Sequence, residues 1–106
     1  MRKVLAKVDD ARLGRAIAGL VTRALEVEKV TRREKEICAL VVSKGKRGVK
    51  EYGVCIKGRQ VSCSCSDYRE RGVHCKHIAA VALHELGAVA QARSERKELK
   101  GVLLQL

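Results

Sequence analysis

The sequence contains no Phe, Trp, Pro or Asn, and only two Tyr and three Gln. Without Phe or Trp the core must be aliphatic, and two rings are too few for the base-stacking platform that single-stranded nucleic acids use. The missing Asn and scarce Gln remove the amides that read adenine edges, so strong sequence specificity is not expected. No apolar run reaches transmembrane length, and Met1-Arg-Lys-Val-Leu-Ala-Lys-Val-Asp-Asp lacks the apolar stretch of a secretory leader. Amphipathic segments without Trp or Phe also make poor membrane anchors. The expected compartment is therefore intracellular (cytoplasm or nucleoid) and reducing. There, clustered cysteines point to metal or catalysis more than to disulfides.

What is present is a chain of 106 residues with 46% hydrophobic content, long enough for one domain with a core. Charged residues make up 33%, and the formal net charge is +11. Such an excess favours a polyanionic partner, nucleic acid first and an acidic protein surface second.

The expected fold class is α+β in one compact domain. Residues 1–36 hold an N-terminal helix and a charged link, 37–87 a meander with a metal site and helix, and 88–106 a C-terminal helix. Asp9 and Asp10 precede an amphipathic stretch from Ala11 to Val30, with Leu13, Ala16, Ile17, Leu20, Ala24 and Val27 on one helical face. Ile37–Ser43 and Val49–Ile56 read as strands joined by the glycine-bearing Lys44-Gly-Lys-Arg-Gly48. Pairing Lys44 with Val49 places Ile37, Ala39 and Val41 opposite Ile56, Val54 and Tyr52 on one apolar face. The same register opposes Cys38 and Cys55. They read first as packed free thiols, with a disulfide as the alternative. A tight turn at Lys57-Gly58 leads into a third strand ending at Cys63, with Ile56 expected opposite Arg59 and Cys63 beside Tyr52. Residues 66–74 read as a loop with at most one helical turn. Lys76–Leu86 reads as a buried helix, and Ala88–Leu106 as another with Leu99, Val102, Leu103 and Leu106 on one side.

The most informative pattern is Cys63-Ser-Cys65, nine residues, then Cys75-Lys-His77. Residues two apart on a strand face the same side, so Cys63 and Cys65 can share a metal. Cys75 and His77 stand at a helix entrance, where the helix dipole favours a thiolate. Three thiolates and an imidazole suit one tetrahedral Zn2+, and a filled shell leaves no position for a reactive water, so the expected zinc is structural. His74 is a competing ligand through a loop shift. His84 is about 10 Å farther along the helix than His77 and reads as a packing or surface residue.

Val61-Ser-Cys-Ser-Cys-Ser-Asp-Tyr68 and Gly72-Val-His-Cys-Lys-His-Ile-Ala-Ala-Val-Ala-Leu83 resemble the SWIM zinc finger family, in which CxC, a spacer and CxH precede an apolar helix. The resemblance runs from Lys50 to Leu86, about a third of the chain. It implies a ββα-like zinc module used for DNA or protein contacts, in settings such as recombination, transposition or transcription.

Basic residues cluster on the hairpins (Lys44, Lys46, Arg47, Lys50, Lys57, Arg59) and on the finger loop (Arg69, Arg71, Lys76). Point charges of this kind suit phosphate-backbone contact, with duplex DNA favoured over a stacked single strand. The expected function is a zinc-stabilised nucleic-acid-binding accessory module. The alternative is a protein-interaction adaptor for a DNA-processing ATPase or recombinase, using the Leu13–Val27 or C-terminal apolar faces. An enzyme is not expected, because the chain has no Gly-rich phosphate loop, no CxxC and no HxE…CxxC arrangement.

Overall fold

The structure, a computed structural model, describes residues 1–95 and 98–104. In chain order the elements are α1 (Arg2–Ala6), α2 (Asp10–Thr22), β1 (Leu25–Arg33), β2 (Glu36–Gly45), β3 (Gly48–Lys57), β4 (Gln60–Cys63), α3 (Ser66–Arg71), α4 (Lys76–Glu85), α5 (Ala88–Glu95) and α6 (Leu99–Leu104). The strands form one antiparallel sheet in the order β1-β2-β3-β4, and the helices cover one of its faces. No described helix is long and apolar enough to cross a membrane.

The sheet has four strands, where three were expected. The N-terminal helix stops at Thr22 because Arg23 turns left-handed (φ 63°), and 25–33 leaves as a strand. Ala24 and Val27 continue the helical stripe of Leu13, Ala16, Ile17 and Leu20, whereas Leu25 and Val27 alternate as in a strand, which is why the pattern misled. A bulge between Glu28 and Thr31 inserts one extra residue, with Lys29 at φ 49°. Without that insertion Val30 would face outward; with it, Val30 packs on the core.

The expected helix start holds. Asp9 caps α2, its carboxylate accepting the Arg12 amide at 2.9 Å. The β2–β3 register is also as expected, Ile37 opposite Ile56 through Lys44 opposite Val49. The β3–β4 register differs by two residues. The turn is Gly58-Arg59, so Ile56 faces Val61 and Val54 faces Cys63. Gly58 takes φ 61° at the first central position, which primed hairpin turns leave to glycine. A slip of two keeps the pleat, so Val61 and Cys63 still face the core.

Cys38 and Cys55 are joined as a disulfide on the opposite, outer face of the sheet, with Cα atoms 4.1 Å apart. This replaces the first reading of two free thiols. Direct opposition in adjacent strands brings the sulfurs together whatever their packing.

Helix α4 is the centre of the core, with every residue from His77 to Leu83 buried. It packs on all four strands and on α1, α2 and α5. The expected single helix over 88–106 is two, since α5 ends at Glu95 and α6 begins at Leu99. Leu99 and Val102 are buried as expected, whereas the Leu103 side chain and Leu106 lie outside the described residues.

Gly19 is where α2 meets β1. A Cβ there would lie 2.6 Å from Leu25 Cγ and Cδ1 and 3.2 Å from its Cβ. Alanine's better helix propensity is worth about 1 kcal/mol. Displacing a buried leucine near its own backbone costs about 1–3 kcal/mol. Gly19→Ala is therefore expected to lower stability in urea denaturation, against the usual direction for Gly→Ala in a helix.

Candidate metal centre

Cys63, Cys65, Cys75 and His77 are all buried, and their ligand atoms lie within 4.8 Å of one another. His77 Nδ1 is 3.7 Å from Cys63 Sγ and 3.8 Å from Cys75 Sγ. A tetrahedron with sulfurs at about 2.3 Å and nitrogen at about 2.0 Å has N···S edges near 3.5 Å, so the four atoms fit a zinc ion with little movement. The arrangement assigns Nδ1 as the imidazole ligand.

Each ligand is placed by an element end. Cys63 is the last residue of β4, and Ser64 N donates to Gly53 O at 3.0 Å to continue the ladder by one bond. Cys65 is the N-cap of α3, its sulfur accepting from Tyr68 N at 3.4 Å. Cys75 is the N-cap of α4, and His77 stands in the first turn. The second helix N-terminus at the site is that of α3, six residues where the sequence reads as a loop with at most one helical turn. Tyr68 anchors it, donating to Val61 O at 2.9 Å. Tyr52 stacks on the His77 ring with centroids 4.3 Å apart.

His74 is not in the cluster, so the competing ligand set is not formed. His84 lies on α4 with Nδ1 3.6 Å from Glu85 Oε1, consistent with a packing residue.

The three thiols hydrogen-bond to one another, and each shifts the others. The hydrogen bond from Cys63 draws Cys75 down to about 4, helped by His77 and the Ile78 amide. Cys63 is pushed up, first by that same hydrogen bond to Cys75 and then by burial. Burial likewise pushes Cys65 up. The low Cys75 value favours the metal-free fold most above the unfolded thiol range near 8.5, and that contribution fades as pH falls toward 4. Cys63 and Cys65 carry the opposite sign, disfavouring the fold as pH rises past the same range. With Cys75 drawn down and Cys63 and Cys65 pushed up, one thiolate and two thiols are the expected state at pH 7. Zinc uptake is expected to release about two protons, read by titration calorimetry in buffers of different ionisation heat. Release of about three would show Cys75 to be neutral before metal arrives.

The basic residues do not form one patch. Lys44, Lys46, Arg47 and Lys50 surround the β2–β3 tip, while Lys57 and Arg59 sit at the other end of β3, about 23 Å away. Arg69 is exposed on α3. Arg71 and Lys76 line a cavity of about 360 Å3 against the metal cluster, together with Arg12 and Arg15 of α2. Those two arginines were missed from sequence. Arg12 binds Asp67 with two bonds, Nε to Oδ2 at 2.7 Å and Nη2 to Oδ1 at 2.8 Å, across 55 residues. No local signal marks a pair so distant. It holds Asp67 well below the usual carboxylate range and ties α3 to α2.

Searches of curated proteins and of solved structures each return no match to the chain. Cys63, Cys65, Cys75 and His77 thus form a cluster that fits one structural Zn2+, and all four fall inside residues 42–86, which match the SWIM zinc finger family.

Proposed function

We propose that the protein is a zinc-stabilised nucleic-acid-binding module that contacts the phosphate backbone, in duplex DNA above all, and is not an enzyme. The carrying observation is the β2–β3 tip, where Lys46, Arg47 and Lys50 line one groove with no acidic residue among its walls. At the other tip, Lys57 pairs across the sheet with Glu36, and the cations are less concentrated. Both tyrosines are engaged inside the fold, Tyr52 on His77 and Tyr68 on Val61, which leaves no ring for base stacking. The metal has four protein ligands, so its role is to hold β4 and α3 to α4 and to aim the basic tip outward.

Binding to a short duplex is expected to weaken linearly in log–log salt titrations. Replacing Lys46, Arg47 and Lys50 by Ala should reduce the slope by about 2–3, since each lost phosphate contact removes nearly one unit. Replacing Lys57 and Arg59 should change it less. Folded, zinc-loaded protein that binds neither duplex nor single strands at low salt would end this reading.

A second reading, a protein-interaction surface, draws on α2. Leu13, Ile17 and Val21 line a shallow depression, and Val21 is 62% exposed. Retention of one stoichiometric protein partner by wild type and its loss with Val21→Glu would favour it.

A further inference from the structure

The cavity beside the zinc cluster has a composition that the structural role of the metal does not require. Its walls come from five places: α2, the end of β2, Tyr52 of β3, α3 and the start of α4. Four cations line it, and two of them are already matched. Arg12 is shared between Asp9 and Asp67, and Arg71 binds Asp67 at 3.0 Å. Neither Arg15 nor Lys76 makes an ion pair among the described residues, although Asp9 lies near enough to Arg15 to feel its charge. Together they outweigh the single net negative charge of a zinc ion held by three thiolates.

A second observation concerns His77. It is a wall of the same cavity, only 5% exposed, and its Nε2 is buried without a hydrogen-bond partner. With Nδ1 on the metal, Nε2 carries the proton, and metal-bound imidazoles nearly always donate that proton to an acceptor. No group among the described residues accepts it. The cavity thus offers two cations outside any ion pair and the hydroxyl of Ser66, with His77 and its unmatched, buried Nε2 in the wall behind them. These are donors and positive charge in search of an anion.

The location says which anion. Ser43 lines both this cavity and the groove at the β2–β3 tip, so the two depressions adjoin. β2 ends at Gly45, two residues or about 7 Å beyond Ser43, and the turn at the tip follows. Two adjoining cationic depressions suit a chain of phosphates better than one small anion.

We propose that this cavity is a phosphate site. Arg15 and Lys76 supply its charge, zinc-bound His77 donates from Nε2, and the occupant is a backbone phosphate of the same polynucleotide that the tip engages. The Arg12–Asp67 pair is the positioning element that holds the α2 and α3 walls together. The proposal rests on the polyanion reading for the identity of its occupant, though not for its chemistry.

The test compares zinc-loaded wild type with the Arg15→Ala/Lys76→Ala double variant, both checked for zinc content and circular dichroism. With duplex DNA the variant is expected to lose about two units of salt slope and at least about tenfold in affinity near 0.1 M salt. Arg15→Lys should retain the slope. In wild type, the His77 Nε2–H resonance should shift on adding DNA, and this shift should vanish in the double variant. If wild type binds DNA while the double variant keeps both slope and affinity, the cavity is not a phosphate site. If no DNA binds, inorganic phosphate is titrated instead. A His77 Nε2–H shift lost in the double variant then keeps the phosphate site and discards the polynucleotide, whereas no shift discards both.

Discussion

Removal of the metal by a strong chelator, or Cys63→Ser with zinc present, is expected to lower the thermal midpoint by more than about 15 °C. Binding of zinc to comparable sites is worth on the order of 10 kcal/mol or more, as large as the whole net stability of an ordinary domain. The metal-free fold would not lose all of this, because the aliphatic core of α4 and the sheet remains. Even about 3 kcal/mol, however, shifts the midpoint of a domain this size by 12 °C or more. The loss should be local first. Cys63 and Cys65 link β4 and α3 to α4, whereas the β2–β3 ladder of ten residue pairs is independent of the metal. Amide exchange after chelation should therefore accelerate in 60–77 before it does in 37–57. An unchanged midpoint in protein shown by native mass spectrometry to have lost its zinc would refute a structural role for the metal.

Leu83→Ala is expected to cost about 2–5 kcal/mol, the other large effect. Leu83 is completely buried in α4, which touches every strand and three other helices. Truncation there removes apolar burial and leaves a cavity that seven packed elements cannot collapse around without shifting one another. Against a net stability of about 5–15 kcal/mol the variant should be markedly less stable in urea denaturation. Val49→Ala serves as the contrast. Its parent side chain is 64% exposed, and a change within about 0.5 kcal/mol is expected.

The zinc ligands were legible because metal chemistry writes itself into short spacing. Cys63 and Cys65 two apart, then Cys75 and His77 two apart, each need only one local geometry to converge. The β2–β3 register was legible for a related reason. An odd slip would turn Ala39, Val41, Val54 and Ile56 outward, and the glycine-bearing turn between Gly45 and Gly48 selects among the even registers the one that the sheet adopts. Where two local solutions were nearly equal, the sequence misled. Ala24 and Val27 extend a helical stripe while Leu25 and Val27 alternate as a strand, and what decided was an open edge of β2 able to pair with 25–33. The β3–β4 turn could take Lys57-Gly58 or Gly58-Arg59 without exposing Cys63, so the hydrophobic pattern was silent about it.

The opening absence of Phe and Trp still describes the protein well. The core is aliphatic, and the two tyrosines are structural. The sequence by itself determined the zinc ligand set, the apolar central helix and the central hairpin, because each depends on contacts between residues near in sequence or on period-two burial. Only the tertiary structure decided the fourth strand and the cavity that Arg12 and Arg15 share with the zinc cluster. Those features depend on pairs such as Arg12 and Asp67, 55 residues apart, whose meeting is set by how helices pack on a sheet and leaves no trace in local spacing.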